Sequence, residues 1–424
     1  MRQDIIYGIF TLVIDKRRAL VTLSEELSWR GFINQMTFAD KTELDTETRT
    51  FYWGVDPSAD SMHIGNLAPA MMIRHLMDHG YKAILLVGGA TGMIGDPDGK
   101  KQERDLVSLE EIEKNKKAIA EQYKKIFDGQ DFEIVDNYDW FKNLGYLDFL
   151  REVGKHASMT QMLDREFIKA RIGEGGEGIS YAEFSYALIQ GYDFLHLFRE
   201  KGASLQVAGA DQWGNSITGV SLIRRLEGAE SHVLTAPLII NKSSGRKFGK
   251  TEEGAVWLNP AKTSPYKFYQ FWLNVDDETA EDLIKIYTLL DQAAVQQIID
   301  AHKNMPSERI LQKALAKEVT SIVHGIEVYK SVFAVTEVLF SSATVNQLDE
   351  RQLKLLADEI PVAKNPATVS EALVMSGLAS SNGDARRLIS GGAVSVNHRK
   401  IGEDQTLEGL SLIKKGKNTF ALVQ

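Results

Sequence analysis

The first residues whose types and spacing suit chemistry lie at 63–66, His-Ile-Gly-Asn, between a predicted strand and a predicted helix. A helix N-terminus offers free N–H groups and the positive end of the helix dipole, so the turn is a natural anion site. Gly65 lets a ligand approach the backbone closely. His63 and Asn66 are three residues apart and can donate hydrogen bonds to one ligand. The segment is therefore a candidate phosphate site, although an ordinary turn with a surface histidine would read the same.

A second candidate segment is the basic loop at residues 245–251, which follows a predicted strand. Arg246, Lys247 and Lys250 can clamp a triphosphate and follow its charge as that charge moves toward pyrophosphate. The alternative is a solvated run of charge.

The same loop also comes close to the phosphate-binding loop of nucleoside triphosphatases. That pattern requires glycine where Ser244 stands, and it must open a helix. Gly254 and Pro260 do not allow a good helix there. We therefore reject this alternative.

A third candidate is a predicted helix that carries Tyr186, Gln190 and Asp193. Their spacing of i, i+4 and i+7 places them on one helix face. A polar trio among aromatic residues suits a binding pocket. Periodicity alone equally describes a half-exposed helix whose polar stripe meets water.

Together the first two segments resemble the HIGH and KMSKS signatures of the class I aminoacyl-tRNA synthetases. Asn66 replaces the last histidine of the first signature, and Phe248, Gly249 and Thr251 vary the second. Both variants occur in the tyrosyl branch. Residues 51–56, 181–193 and 206–215 are also similar to tyrosyl-tRNA synthetases, and the resemblance runs from about residue 23 to the end of the chain.

This resemblance implies a role for each matching residue. The catalytic signature residues would be His63, Asn66, Lys247, Lys250 and Thr251. The tyrosine phenol would contact Tyr52 and Asp193, and the α-amino group would contact Tyr186, Gln190 and Asp96. The ribose and carboxylate region would be lined by Asp211, Gln212 and Gln206, with Gln206 counted among the tyrosine-binding residues. ATP or the adenylate would also contact Gly54, Asp56, Ser58, Gly65 and Lys250.

The implied pocket agrees with the physical chemistry of a phenol substrate. A buried carboxylate and a buried phenol need a partner, and phenylalanine would leave them unpaired. Tryptophanyl relatives share the signatures but lack a matching basic C-terminal module, which favours tyrosine. The alternatives are a tryptophanyl or other class I synthetase, or a non-catalytic RNA-binding protein on a synthetase fold. The latter would be marked by loss of His63 or the signature lysines, and all are present.

The elements that must position these residues alternate between short apolar strands and amphipathic helices up to about residue 258. Such alternation predicts an α/β fold with a Rossmann-like, doubly wound parallel sheet. The predicted strands are Thr50–Val55, Ala83–Val87, Phe132–Val135, Ser204–Val207 and Leu234–Ile240. The predicted helices are Asn66–His79, Leu109–Phe127, Tyr146–Val153, Met159–Arg171, Tyr181–Glu200 and Asn215–Arg225, two of them opened by capping boxes at Ser108 and Ser180.

Five segments follow from the changes of pattern along the chain. Residues 1–20 are an extension of uncertain status, for which we hypothesise a true start near Val21. Residues 21–260 are expected to form the Rossmann-like domain, 261–345 an α-helical domain, 346–360 a linker and 361–424 a small α+β module. The resemblance implies that the first of these is the catalytic domain, that the α-helical domain contacts tRNA, and that the module at 361–424 binds RNA and is of the type found in a ribosomal protein.

Charge is distributed unevenly over these segments. The chain has a net charge of −9, yet residues 361–424 carry +3 and the rest −12. A basic module on an acidic body predicts a local polyanion contact. Arg386 and Arg387 on its second predicted helix can position RNA phosphates, and a surface-charged helical hairpin is the alternative. By resemblance, Lys100 and Arg104 lie near pyrophosphate or the tRNA end.

Composition excludes several other classes of protein. The chain has no cysteine, which excludes disulfides and thiolate chemistry and fits a cytoplasmic protein. The early apolar run Ile5–Ile14 is too short to span a bilayer. The glycines at 88–95 do not form the G-x-G-x-x-G pattern, so a nicotinamide cofactor is unsupported. His75 and His79 have zinc-like spacing without a third ligand nearby, and we read them as a surface pair.

The sequence therefore predicts activation of L-tyrosine by ATP, followed by transfer of the tyrosyl group to tRNA(Tyr). No metal ligand is identified, although Mg²⁺ is expected with ATP. The resemblance also implies a homodimer without a membrane partner.

Overall fold

The computed structural model describes residues 21–97, 107–243, 245, 247–251 and 254–424, without the side chains of Gln161, Glu166, Phe167, Lys250 and Thr251. The predictions for residues 1–20, Lys100 and Arg104 lie outside the described residues. The chain divides into two compact units. The first takes the described residues up to Thr263 together with Trp272–Val319, and the second takes Ser264–Phe271 together with Thr320–Gln424.

The first unit is built on a six-stranded sheet in the order β1-β6-β5-β2-β3-β4. All neighbouring strands are parallel except β1, which runs antiparallel to β6. The chain winds outward from β2 in one direction to β4, and in the other direction through β5 to β6. The predicted doubly wound α/β sheet is confirmed. Its strands are β1 (Gln35–Met36), β2 (Thr50–Val55), β3 (Lys82–Val87), β4 (Phe132–Asp136), β5 (Ala203–Gly209) and β6 (His232–Ala236).

Helices pack against this sheet because their apolar stripes are buried on it. The helices that open at Leu109 and Tyr181 begin with the predicted caps, since Ser108 and Ser180 accept hydrogen bonds from the Glu111 and Glu183 N–H groups, 3.2 Å each. The helices up to residue 227 are Leu23–Arg30, Ile64–Asp78, Gly89–Ile94, Leu109–Ile126, Tyr138–Phe141, Tyr146–Glu152, Met159–Leu163, Glu166–Ile172, Tyr181–Lys201 and Trp213–Glu227.

Two predicted elements differ from the expectation. The strand predicted to reach Ile240 stops at Ala236, because Pro237 has no N–H to continue a ladder. The helix predicted over Met159–Arg171 is two helices, since Arg165 adopts an extended conformation with φ −64° and ψ 134°.

The expectation of a surface pair at His75 and His79 was wrong. His75 is fully buried, and both rings contact the Glu26 carboxylate, at 3.2 and 2.7 Å. Arg30 reaches the same carboxylate at 3.2 Å. Burial raises the pKa of Glu26, but the hydrogen bonds and charges of these partners outweigh burial and hold that pKa far below its usual range. The pair belongs to a buried ionic cluster that joins two helices.

After the sheet, the chain is helical as predicted. Strands β7 (Lys250–Thr251) and β8 (Gly254–Ala255) pair as a two-stranded antiparallel ribbon. The helices that follow are Pro265–Leu273, Asp277–Tyr287, Gln292–Asn304, Ile310–His324 and Ile326–Phe340. In the described parts of the chain, no helix is both long and apolar enough to cross a membrane.

The second unit ends in a small α+β fold, also as predicted. A five-stranded sheet in the order β11-β10-β12-β13-β9 packs against helices Val369–Met375 and Asn382–Ser390. The segment expected to be a linker contains a helix, Glu350–Glu359, which Asp349 caps through the Gln352 N–H at 2.8 Å. The strands are β9 (Val362–Ala363), β10 (Val394–Val396), β11 (Arg399–Lys400), β12 (Ser411–Lys415) and β13 (Thr419–Val423).

Candidate active site

A cavity of about 560 Å³ opens at the carboxyl ends of β2 and β5. This is the point where the chain reverses its winding direction, the place where doubly wound sheets bind ligands. Fifteen of the residues predicted for the site line it, drawn from both sides of the reversal. They are Tyr52, Gly54, Asp56, Ser58, His63, Gly65, Asn66, Asp96, Tyr186, Gln190, Asp193, Gln206, Asp211, Gln212 and Lys247. Phe248 and Gly249 of the basic loop line the cavity as well.

The first signature forms a reciprocal helix cap. The His63 Nδ1 accepts a hydrogen bond from the Gly65 N–H at 3.0 Å, and the Asn66 Oδ1 accepts one from the His63 N–H at 3.1 Å. Only glycine fits at 65, because a Cβ there would lie 2.8 Å from the His63 ring. Since Nδ1 is an acceptor, the neutral ring carries its proton on Nε2. His63 can therefore donate a hydrogen bond to a ligand, and nothing in this arrangement requires it to act as an acid or base.

The second signature is held against the first through the backbone. The Val256 N–H donates to the Gly249 carbonyl at 3.0 Å, and the Ile64 N–H donates to the Val256 carbonyl at 3.0 Å. Gly249 has φ +88°, and any Cβ there would collide with the Ile64 side chain. The two signatures are nearly two hundred residues apart in sequence and meet at one cavity wall.

Aromatic packing anchors the basic loop. The Phe248 ring packs against Trp272 and Tyr287, with centroids 5.6 and 6.1 Å apart. Lys247 lines the cavity, whereas the side chains of Lys250 and Thr251 lie outside the described part of the structure. Lys250 and Thr251 begin strand β7 instead of a helix, which supports rejecting the phosphate-binding loop of nucleoside triphosphatases.

One end of the cavity contains a buried carboxylate with fixed donors. Asp193 is 2% exposed and accepts hydrogen bonds from Asn137 Nδ2 at 3.1 Å and from Trp140 Nε1 at 2.9 Å. Burial raises the pKa of Asp193 well above its ordinary value, while the two donors lower it. These donors therefore favour the ionised carboxylate, which accepts hydrogen bonds.

Two polar atoms of the cavity lining are buried and have no hydrogen-bond partner among the described residues. They are the Tyr52 hydroxyl and the Gln206 Oε1. Burial, and then the charge of Asp193, raise the pKa of the Tyr52 phenol well above its ordinary value, so it is a neutral donor. Leaving a buried polar group unpaired costs about 1–3 kcal/mol. A polar ligand that satisfies both atoms recovers this cost.

Asp56, which is half-buried, forms a second hydrogen-bonded centre of the cavity lining. The hydroxyls of Tyr186 and Thr91 each donate to one of its carboxylate oxygens at 2.6 Å. Asn137 Nδ2 also donates to Thr91 Oγ1 at 3.1 Å, which links this centre to Asp193. Tyr186 therefore holds Asp56 in this structure, and its ring borders the cavity.

Asp96 also lines the pocket and is held through amides. Gln212 Nε2 donates to Asp96, and Asn215 Nδ2 donates to Gln212 Oε1 at 3.1 Å. The carboxyl groups of Asp56, Asp96, Asp193 and Asp211 line the cavity together with the cationic Lys247. The cavity therefore suits a ligand with a cation at one point and phosphates at another.

Sequence reasoning missed Thr91, Asn137, Trp140 and Asn215. Asn137 and Trp140 directly follow β4, so the rule that ligand contacts gather at carboxyl ends of parallel strands points to them. Nothing in their own spacing does so. Arg386 and Arg387, by contrast, lie in the second unit on helix Asn382–Ser390, where both are exposed and Arg387 pairs with Asp384 at 2.7 Å. They belong to a separate, basic surface.

The comparisons with known proteins agree with this arrangement. Residues 44–341 match the sequence pattern of the family described as tRNA synthetases class I (W and Y). The fold and the two facing signatures thus define a class I tRNA synthetase, and the chain belongs to that family.

Two similar proteins indicate which branch of the family the chain belongs to. A tyrosine--tRNA ligase of Bacteroides fragilis is 44% identical over 94% of this chain and 98% of its own length. One from Flavobacterium psychrophilum is 42% identical over 95% and 96%. The chain accordingly belongs with the tyrosine--tRNA ligases.

Solved structures show the same fold. A C-terminally truncated mitochondrial tyrosyl-tRNA synthetase of Aspergillus nidulans has a TM-score of 0.68 at 28% identity, covering 80% of this chain and 99% of that one. A tryptophanyl-tRNA synthetase of Encephalitozoon cuniculi has a TM-score of 0.54 at 13% identity, over 78% and 96%. The second likeness concerns the fold alone.

Proposed function

We propose that the chain joins L-tyrosine to tRNA(Tyr) in two steps. The tyrosine carboxylate first attacks the α-phosphate of ATP, forming the new P–O bond as the bond to pyrophosphate breaks. The 3′-terminal adenosine of the tRNA then accepts the tyrosyl group, and AMP leaves. No side chain need become covalent, since positioning and charge stabilisation supply the catalysis.

The observation that carries this proposal is the Tyr52 hydroxyl, which has no hydrogen-bond partner among the described residues, close to the Asp193 carboxyl group. A substrate phenol can accept a hydrogen bond from Tyr52 and donate its own proton to Asp193. Phenylalanine would enter the same space and leave both groups unpaired, which is unfavourable in a buried site. Tyr52 and Asp193 therefore select tyrosine over phenylalanine, because phenylalanine lacks the hydroxyl group that would pair with them.

The remaining tyrosine groups meet the acidic part of the cavity. We assign the α-ammonium group to Asp96, Gln190 and Tyr186, since carboxylates and a phenol oxygen can accept its three protons. Asp56 fixes the Tyr186 hydroxyl at 2.6 Å and adds negative charge nearby. Gln206 and Gln212 would contact the substrate carboxylate and the ribose region, together with Asp211.

ATP would lie across the two signatures. His63 and Asn66 would donate hydrogen bonds to the phosphates from the helix N-terminus, where the helix dipole adds stabilisation. Lys247, Lys250 and Thr251 would stabilise the charge that develops on pyrophosphate. Gly54, Ser58 and Gly65 would allow the nucleotide to approach the backbone of the β2 turn.

Mg²⁺ would enter with the ATP phosphates, whose oxygens it prefers as ligands. The described residues hold no cluster of three or more side chains suited to a metal. No protein ligand is therefore assigned, and when bound the ion would offset phosphate charge.

RNA contacts belong to the basic surfaces. Arg386 and Arg387 are exposed on a helix whose other face, Ala385 and Ile389, is buried in the second unit. Such arginines position phosphates of a folded RNA. Lys100 and Arg104 remain proposals for pyrophosphate or the tRNA end. With ATP and tRNA as substrates, the proposed site of reaction is the cytoplasm.

A homodimer is proposed from an apolar stretch on the first unit. Large exposed side chains are concentrated between residues 146 and 181, and the Tyr146 and Tyr181 hydroxyls lie 3.4 Å apart. Large exposed apolar side chains that group together are typical of association sites. The exposed residues are Tyr146, Leu147, Met159, Leu163, Ile172 and Tyr181.

Charging of tRNA tests the proposal. The purified chain, ATP and unfractionated bacterial tRNA should yield tyrosyl-tRNA when labelled tyrosine is supplied, and no product with labelled phenylalanine or tryptophan. An Asp193→Ala variant should lose charging or tyrosine selectivity. Tryptophan charging by the wild-type chain, or full selectivity in the variant, would contradict the assignment.

A further inference from the structure

Arg165 is a polar residue that neither the sequence patterns nor the proposed chemistry uses. It lies half-buried between helices Met159–Leu163 and Glu166–Ile172. Its guanidinium donates to Asn215 Oδ1 at 2.7 Å, to Thr218 Oγ1 at 2.9 Å and to the Gly214 carbonyl. All three acceptors lie in the first turns of helix Trp213–Glu227. A cation there opposes the helix dipole, so its placement calls for another reason.

That reason is found in the hydrogen bonds that continue from Asn215. Arg165 donates to the Asn215 oxygen, the Asn215 amide donates to Gln212 Oε1 at 3.1 Å, and the Gln212 amide donates to the Asp96 carboxylate. Every bond runs in the same direction, from the guanidinium toward the cavity.

The direction is set by the two ends. A guanidinium has only donors, and an ionised carboxylate has only acceptors. The two amides between these ends satisfy all three hydrogen bonds in one orientation only. Each amide must turn its oxygen toward the Arg165 end of the chain of hydrogen bonds and its nitrogen toward the Asp96 end. Without Arg165, both amides are free to rotate, and Gln212 can turn its oxygen toward Asp96, where two acceptors repel.

We propose that Arg165 is a positioning residue for the α-ammonium subsite, acting through Asn215 and Gln212 on Asp96. It touches neither substrate. Arg165 keeps the amide nitrogen of Gln212 turned toward Asp96, and this hydrogen bond holds the Asp96 carboxylate toward the substrate ammonium group. This inference rests on the proposed assignment of Asp96 to the tyrosine α-ammonium group.

The experiment separates this role from a structural one by comparing ligands. Arg165→Met keeps the aliphatic stem and removes every donor. Its affinity for tyrosine and for tyramine, which both have the ammonium, should fall roughly tenfold, as for loss of outer hydrogen-bonding partners elsewhere. Its affinity for 3-(4-hydroxyphenyl)propanoate, which lacks the ammonium and keeps only the carboxylate assigned to Gln212, should fall clearly less than its affinity for tyramine.

Two further variants guard against misfolding. Asn215→Asp retains size but offers Gln212 only acceptors, which reverses the Gln212 amide, so it should show the same ligand pattern. Arg165→Lys keeps a donor for Asn215 and should restore tyrosine affinity to within about threefold. Arg309→Met is the matched control, since Arg309 is half-buried and donates to the Leu273 and Val275 carbonyls at 2.8 and 3.0 Å. It should change stability without changing any of the three affinities.

The outcomes distinguish this inference from the proposed function. If the wild-type chain fails to activate tyrosine, the proposed function is wrong. If the wild type activates tyrosine but Arg165→Met and Asn215→Asp weaken all three ligands equally, or none, Arg165 has no role in positioning and the inference is overturned.

Discussion

Replacing Tyr52 by phenylalanine should weaken tyrosine binding without destabilising the free protein. The Tyr52 hydroxyl is buried without a hydrogen-bond partner, on a residue that is 2% exposed. Removing it breaks no internal bond, so the free energy of unfolding should stay equal or rise by up to about 1 kcal/mol. Bound tyrosine, however, would lose the donor to its phenol oxygen.

The loss of affinity follows from one neutral hydrogen bond. Such a bond is worth about 0.5–1.5 kcal/mol, which corresponds to a rise in the tyrosine Kd of about 2- to 13-fold. Phenylalanine gains nothing from Tyr52 in the wild type, so its affinity should not fall. The ratio of phenylalanine to tyrosine dissociation constants should therefore shrink by the same factor.

Tyr81→Phe supplies the matched control. Tyr81 is 5% exposed, lies in the same unit and donates to the Leu44 carbonyl at 2.7 Å. Its replacement leaves a buried acceptor unpaired, so stability should fall by about 1–3 kcal/mol while tyrosine affinity stays constant. Denaturant unfolding and fluorescence titration with tyrosine measure both quantities. Equal destabilisation by the two variants, or unchanged tyrosine affinity in Tyr52→Phe, would refute the reasoning.

Three further predictions follow from other contacts. Trp140→Phe removes a hydrogen-bond donor that lowers the pKa of Asp193, so this pKa should rise further. In a titration from alkaline to acid pH, the tyrosine affinity of the variant should therefore begin to fall at a higher pH than that of the wild type. Glu26→Ala removes the carboxylate that pairs with the buried Arg30 guanidinium and should cost about 3–5 kcal/mol at neutral pH by denaturant unfolding. The pKa of Glu26 is lowered in the folded state. Its contribution to the free energy of unfolding is therefore present above the unfolded carboxyl pKa of about 4.3 and is lost as the pH falls below it. The stability difference between the wild type and Glu26→Ala should accordingly shrink in acid. Lys250→Ala should slow adenylate formation by orders of magnitude in single turnovers with little change in tyrosine affinity, and an unchanged rate would remove Lys250 from the catalytic set.

The fold was largely predictable from local pattern. Strand β2 has the bounds that its apolar run predicted, and the long helix that opens at Tyr181 differs from its prediction by one residue at its end. Both elements are long or strongly apolar, and their caps and turns are local signals. Pro237 shows the limit of prediction from apolar runs. The apolar run continues through Pro237, but the strand stops at Ala236 because proline has no N–H for the next hydrogen bond of the sheet.

The candidate site was predictable where a residue lies next to a strand end or signature. His63, Lys247 and Asp193 line one cavity as the resemblance implied. The partners that hold them were not predictable. Asn137 and Arg165 reach the site only through tertiary packing, and His75 is buried because Glu26, about fifty residues away in sequence, supplies its partner. Periodicity records which face of a helix is apolar, but it does not record which distant carboxylate will meet it.

ATP–pyrophosphate exchange with each of the twenty amino acids, supplied singly and without tRNA, tests the central claim most directly. The account predicts exchange with tyrosine and a rate near background with phenylalanine and tryptophan, because only tyrosine satisfies both the Tyr52 hydroxyl and the Asp193 carboxylate. Exchange that is equally fast with phenylalanine, or that requires another amino acid altogether, would contradict it.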